Sequence, residues 1–168
     1  DDAAPPLRTT VLPDTARKVI ARNTSPDVPF DRSINPYRGC EHGCVYCFAR
    51  PSHAYLGLSP GLDFETMLFA KHDAAALLRA ELSAPGYRCQ LIQLGANTDP
   101  YQPIERRLQI TRQVLEVLAD CDHPVSITTK SDLVLRDLDI LAPMAAKGLA
   151  SVAVSVTTLD GPLARRLE

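Results

Sequence analysis

The apolar positions change period several times along the chain, and each change marks an element. Asp73 is a suitable N-cap, the Ala- and Leu-rich stretch from Ala74 to Leu82 favours helix, and Pro85-Gly86 ends it. Cys89-Gln90-Leu91-Ile92-Gln93-Leu94 is a short apolar run closed by Gly95, which reads as a strand. Pro103 suits a first helical turn, and Ile104, Leu108, Thr111, Leu115 and Leu118 then recur at four, seven, eleven and fourteen residues. That spacing predicts one continuous helix. Val125 to Thr129 is β-branched and strand-like, while Val134, Leu138 and Leu141 form a short helical stripe before Pro143, ended by Gly148. Residues 151–158 alternate Val152, Val154 and Val156, a half-buried strand, and 163–167 open another helix. Upstream, 33–37 read as a short strand limited by Pro36, 48–63 as loop, and 64–70 as either a strand or a helix start.

Strand and helix in alternation are the grammar of parallel βα units. Four strands are expected, counting 33–37. A complete eightfold barrel takes roughly 250 residues, so a chain of 168 residues predicts an α/β fold that is a partial (βα) barrel. The strand at 151–158 has little sequence after it to cover its outer edge, which points to truncation on the C-terminal side. Residues 1–32 are rich in Pro, Asp, Arg and Thr and read as an extended arm (Ala3-Ala4-Pro5-Pro6, Ser25-Pro26-Asp27), leaving 33–168 as the core domain.

A net charge of −2 argues against general attraction to nucleic acid or anionic membrane, and no apolar run has the length of a membrane span. Cysteine usage adds more. There are five, an odd number, and three of them fall within eight residues. A disulfide scaffold spreads its cysteines, so the clustering points to metal ligation in a reducing compartment, with the cytoplasm as the expected location.

The cluster is Cys40-Glu41-His42-Gly43-Cys44-Val45-Tyr46-Cys47, spelling C-x3-C-x2-C, with Gly39 and Gly43 allowing the backbone to curl. Three thiolates can occupy three corners of an iron–sulfur cubane and leave the fourth iron open to another molecule. The competing reading is a non-catalytic metal-binding module, with zinc held by the same thiolates and His42, Cys89 or Cys121 as fourth ligand. The sequence has no second knuckle, as structural zinc sites usually do.

The three-cysteine loop with aromatic Tyr46, placed just after a first strand, resembles the signature of the radical S-adenosylmethionine (SAM) superfamily. More narrowly, Asn35-Pro36-Tyr37-Arg38-Gly39-Cys40 through Cys47-Phe48-Ala49-Arg50-Pro51 resembles the group of spore photoproduct lyase and DNA repair photolyase-like proteins, over about residues 23–168. The resemblance implies a partial barrel of the radical SAM type, holding a 4Fe-4S cluster on Cys40, Cys44 and Cys47. It also implies that SAM chelates the open iron and is cleaved reductively to methionine and a 5′-deoxyadenosyl radical. A one-electron donor such as a flavodoxin or ferredoxin would be the partner, and a lyase or repair reaction would leave nucleic acid open as substrate.

Ligands of such barrels gather at the carboxyl ends of strands. Thr98, Lys130 and Ser155 fall there and match SAM-binding positions of the resembled group, which has Ser in place of Thr98; Tyr46 completes the expected cofactor contacts. Each has an ordinary alternative: a turn residue for Thr98, a solvated cation for Lys130, a self-bonded serine for Ser155. Arg38 is a candidate for stabilising an anionic cluster, Arg50 and His53 for meeting SAM or substrate, and Tyr101 and Gln102 for lining a substrate cavity. Asp99 reads as a cap, Arg106-Arg107 as a solvated face, and Cys89 as a buried small hydrophobe. One departure stands out. Spore photoproduct lyases carry a hydrogen-donating Cys just before the Thr98 position, and this chain has Asn97.

Overall fold

The computed structural model describes residues 8–168, so Ala3-Ala4-Pro5-Pro6 of the expected arm lies outside the described residues. The first elements are strands β1 (Thr10–Pro13), β2 (Ala21–Arg22), β3 (Arg32–Ile34) and β4 (Tyr37–Arg38). A 3-10 stretch, Arg50–Leu56, precedes α1 (Asp63–Thr66), β5 (Met67–Ala70), α2 (Ala74–Leu82) and β6 (Ile92–Leu94). Then come α3 (Glu105–Leu108), α4 (Ile110–Asp120), β7 (Val125–Thr129), a 3-10 turn at Asp132–Asp137, α5 (Leu138–Ala146), β8 (Ala150–Val154) and α6 (Gly161–Leu167).

Two sheets result among the described residues. The larger has the order β2-β3-β6-β7-β8; β3, β6, β7 and β8 run parallel and β2 lies antiparallel on β3. Ile92 pairs with Val125 and Val125 with Ala150, while Leu94 pairs with Ile127 and Thr129 with Val154. All four strands therefore finish at one end. The smaller sheet, β1-β5-β4, sets β1 parallel and β4 antiparallel to β5. Residues read as an arm thus supply a strand to each sheet, and Val19 joins the core. The main core packs Ile34 of β3, Ile92 and Leu94 of β6 and Ile127 of β7 with Leu78 from α2 and Val114, Leu115 and Leu118 from α4.

Several expectations are corrected. The stretch at 33–37 is two strands in different sheets, because Asn35-Pro36 interrupts pairing and turns Tyr37 toward β5. The stretch at 64–70 is a helical turn followed by a strand, and 48–63 contains a 3-10 segment. The helix from 104 to 118 is broken at Gln109, which adopts φ 52°. Glu105 explains the break: its buried carboxylate accepts from Thr111 N (3.0 Å) and Arg112 N (3.3 Å), satisfying open amides of α4 where the helix dipole favours negative charge. Pro143 lies inside α5 rather than beyond it. The valines of β8 are not half-buried: Val152 is 42% and Val154 58% exposed, because β8 is an edge strand that pairs only with β7 among the described residues. No helix among the described residues is long and apolar enough to cross a membrane.

Candidate functional site

The cysteine loop leaves β4 through Gly39, at φ 80°, where a Cβ would press to 2.7 Å from the Leu68 side chain and 2.8 Å from the Phe64 carbonyl oxygen. Only glycine fits both demands. Cys40 N donates to Phe64 O (2.9 Å), Gly43 N to Cys40 O (3.4 Å) and Cys47 N to Cys44 O (3.2 Å), so the loop is a succession of tight turns. Arg50 grips it from one side, with Nη2 donating to Gly43 O (2.9 Å) and Cys44 O (3.0 Å) and pairing with Glu65, and Nη1 donating to Gly61 O (3.1 Å). Gln102 grips it from the other: Nε2 donates to Gly39 O (3.1 Å) while Oε1 accepts from Glu41 N (3.0 Å). Glu41 in turn accepts from Ile104 N at 2.6 Å.

Cys40 and Cys44 are buried, Cys47 is half-buried, and all are free thiols. Burial pushes the Cys40 thiol up to about 12 and also raises that of Cys44. Binding a metal would therefore displace protons from these sulfurs.

A cleft of about 230 Å³ opens against this loop. Its walls include Cys40, Cys44, Cys47, Tyr46, Thr98, Lys130 and Ser155, so the three loop cysteines share one cavity with four of the residues expected to meet the cofactor. The parallel sheet accounts for this: Thr98 follows β6, Lys130 follows β7 and Ser155 follows β8, all at the carboxyl end. Lys130 Nζ donates to Tyr46 OH (2.6 Å), Thr157 Oγ1 (3.2 Å) and Ser155 Oγ (3.4 Å), and pairs with Glu168 at 3.0 Å. Partial burial disfavours its ammonium, but the bonds to Tyr46 and Glu168 outweigh that and raise its pKa. Thr98 is buried and donates through Oγ1 to Tyr37 O at 2.8 Å, leaving its oxygen lone pairs to accept.

Asp99 is a hub rather than a simple cap. It accepts from Tyr101 N (2.8 Å), Thr129 Oγ1 (2.7 Å) and Lys130 N (2.7 Å), and His42 Nε2 of the cysteine loop lies 3.4 Å from its Oδ2. Burial would raise its pKa; the nearby His42 and the hydrogen bonds from Lys130 N and Thr129 Oγ1 prevail and lower it.

Other candidates lie elsewhere. Arg38 pairs with Asp14 at 2.7 Å and does not line this cleft. Tyr101 and Gln102 are fully buried supports, not cavity walls: Tyr101 OH donates to Asp137 at 3.0 Å, and Gln102 holds the loop. His53 is buried beside the loop, its Nε2 donating to Met67 O at 2.9 Å. Cys89 is exposed and precedes β6 instead of sitting buried in it, and Cys121 is exposed in the turn after α4. Arg106 and Arg107 are solvated. The roles of Arg50 and Gln102 had no sequence signal, since side chains that bond to main-chain carbonyls follow no motif. Although the three thiols face one cleft, no three His, Cys, Asp or Glu side chains among the described residues converge as ligands of a single ion would.

The chain is 45% identical over 141 residues to uncharacterized proteins of Mycobacterium tuberculosis and Mycobacterium bovis, an alignment covering 84% of this chain and 42% of theirs. It is 28% identical over 135 residues to an uncharacterized protein of Methanocaldococcus jannaschii, covering 80% of this chain and 48% of that one. The chain thus spans less than half the length of these relatives. No family model and no solved structure matches it.

Proposed function

We propose that this chain is the cluster-binding part of a radical SAM enzyme, its parallel strands β3, β6, β7 and β8 being the first strands of a partial barrel. The observation that carries the reading is the shared cleft: three thiols on one wall, and a lysine, two hydroxyls and a tyrosine from strand ends and loop on the others. The donor set suits a cluster. Each cysteine of a cubane addresses a different iron, so the sulfurs face a common space without meeting at one point.

Cys40, Cys44 and Cys47 would hold the cluster, and when bound with SAM it would supply reductive cleavage to a carbon radical that abstracts hydrogen from substrate. The chain's own residues do the positioning. Lys130 would exchange its pairing with Glu168 for the carboxylate or ribose oxygens of SAM, a charge-assisted bond of about 1.5–3 kcal/mol. Ser155 and Tyr46 flank that ammonium, and Thr98 offers an acceptor from the carboxyl end of β6. Among the described residues, no thiol outside the loop lines the cleft, and Asn97 stands where the resembled lyases carry a hydrogen-donating cysteine. Thymine-dimer repair is therefore not part of the proposal.

The test is anaerobic reconstitution with iron and sulfide. About four irons per chain are expected, absent from a Cys40→Ala/Cys44→Ala/Cys47→Ala variant, with 5′-deoxyadenosine formed on adding dithionite and SAM. One zinc and no acid-labile sulfide in protein purified without air would replace this reading by the non-catalytic metal module.

A further inference from the structure

A second cleft, of about 320 Å³, lies between the segment preceding β2, the strand β4 and the 3-10 turn Arg50–Leu56. Its charged lining residues are Lys18, Arg38 and Lys71, and no carboxylate among the described residues lines it. Two carboxylates border it: Glu81, which accepts from the backbone of Val19 (2.6 Å) and Ile20 (3.4 Å), and Asp14, whose single Oδ2 serves two cations, Arg38 Nε at 2.7 Å and Lys71 Nζ at 3.2 Å. One negative charge is thus shared between two positive ones, and Lys18 has no ion-pair partner among the described residues.

Lys71 is only 9% exposed, and its other hydrogen bond runs to Asn35 O at 2.7 Å. An ammonium has three donors, so one remains. Burial, assisted by the like charge of Arg38 and opposed by Asp14, lowers the Lys71 pKa, as expected of a cation whose compensation is incomplete. An incoming oxyanion would complete it. Arg38 keeps both terminal nitrogens free of hydrogen bonds among the described residues, which gives a planar fork suited to phosphate or carboxylate.

Asn97 connects this cleft to the first. It lines both cavities, and its side-chain amide makes no hydrogen bond to a described residue, while its backbone N donates to Asn35 Oδ1 at 3.0 Å. A molecule with its anionic end among Lys18, Arg38 and Lys71 would pass this amide on its way to the cysteine cleft.

We propose that the second cleft is an oxyanion subsite that takes the phosphate or carboxylate end of the substrate, with Asn97 as the polar contact between the two cavities. The word substrate rests on reading the first cleft as a reaction centre; the anion site itself does not.

The experiment is calorimetric titration of metal-free protein with inorganic phosphate and, separately, succinate, at constant ionic strength. Saturable binding of at least one is expected, and the tighter of the two identifies the head group. Lys18→Glu and Arg38→Gln should each weaken it about tenfold, the scale of one charge-assisted contact, with unchanged far-UV circular dichroism. Lys71 is left in place because removing it would strand Asp14. Binding of neither anion, or affinities in both variants within about twofold of the parent, would overturn the subsite. Iron content measured on the same preparations separates the two ideas: anion binding without cluster assembly sinks only the reaction centre, and cluster assembly without anion binding sinks only the subsite.

Discussion

Arg50 directs its guanidinium at the main-chain oxygens of Gly43, Cys44 and Gly61 and at the Glu65 carboxylate. Lysine keeps the charge but cannot reach Gly43, Cys44 and Gly61 together, because its donors radiate from one nitrogen instead of a planar fork. Arg50→Lys is expected to lower unfolding free energy by about 2 kcal/mol, the scale of losing bonds to a charged donor, as read by urea denaturation. The contrast between Arg50 and the cysteines shows what a sequence displays at this scale. Thiols at fixed spacing and polar residues at strand ends stand out in a sequence, and the fold brings those of this chain, Cys40 and Lys130 among them, to one cleft. Arg50 and Gln102 do not stand out, since their partners are mainly backbone atoms brought near by the fold. Arg38 misled for the same reason: adjacency to Cys40 in sequence says nothing about Asp14, 24 residues upstream, which claims it.

The helices between β6 and β7 are shaped by buried charge. Gln109 occupies the left-handed region, which costs a side-chain-bearing residue about 1–2 kcal/mol, and the cost is borne so that α4 can begin over Glu105. Gln109→Gly is expected to raise stability by up to about 1 kcal/mol, visible as a higher thermal midpoint. The same region houses Asp137, fully buried, which accepts from Arg136, Arg112 (2.9 Å) and Tyr101 (3.0 Å). Burial alone would raise its pKa; the hydrogen bonds from Arg136 and Arg112 prevail and hold it below the usual 3.8. A carboxyl lowered on folding stabilises the native state above about pH 4, and that contribution fades as pH falls through the lowered value. Asp137→Asn should therefore cost more near neutral pH than near pH 3, so urea midpoints of parent and variant should approach each other on acidification. Parallel acid limbs would exclude this role. Apolar spacing foresaw that helix lies between 104 and 118 but not where it breaks, because Thr111 and Leu115 continue the same period across the interruption.

At the scale of the whole molecule, the order of strands and helices was readable because parallel βα units repeat a simple alternation, and β3, β6, β7 and β8 follow it. The smaller sheet was not readable. β1 pairs with β5 across more than fifty residues, and neither strand carries a periodicity of its own. Alternating valines in β8 likewise suggested a covered face, whereas burial depends on which layers surround a strand. The anchoring of the cysteine loop has a last consequence for the assembled protein. Every tether (Phe64 to Cys40, Arg50 to Gly43 and Cys44, Gln102 to Gly39 and Glu41) is formed between polypeptide atoms, so the turn needs no inorganic component to hold its shape. Folds that depend on their ion unravel when chelators remove it. On the reading proposed above, stripping a reconstituted cluster with a chelator should leave ellipticity and the calorimetric transition nearly intact and permit immediate reloading, a guest that comes and goes from a standing frame.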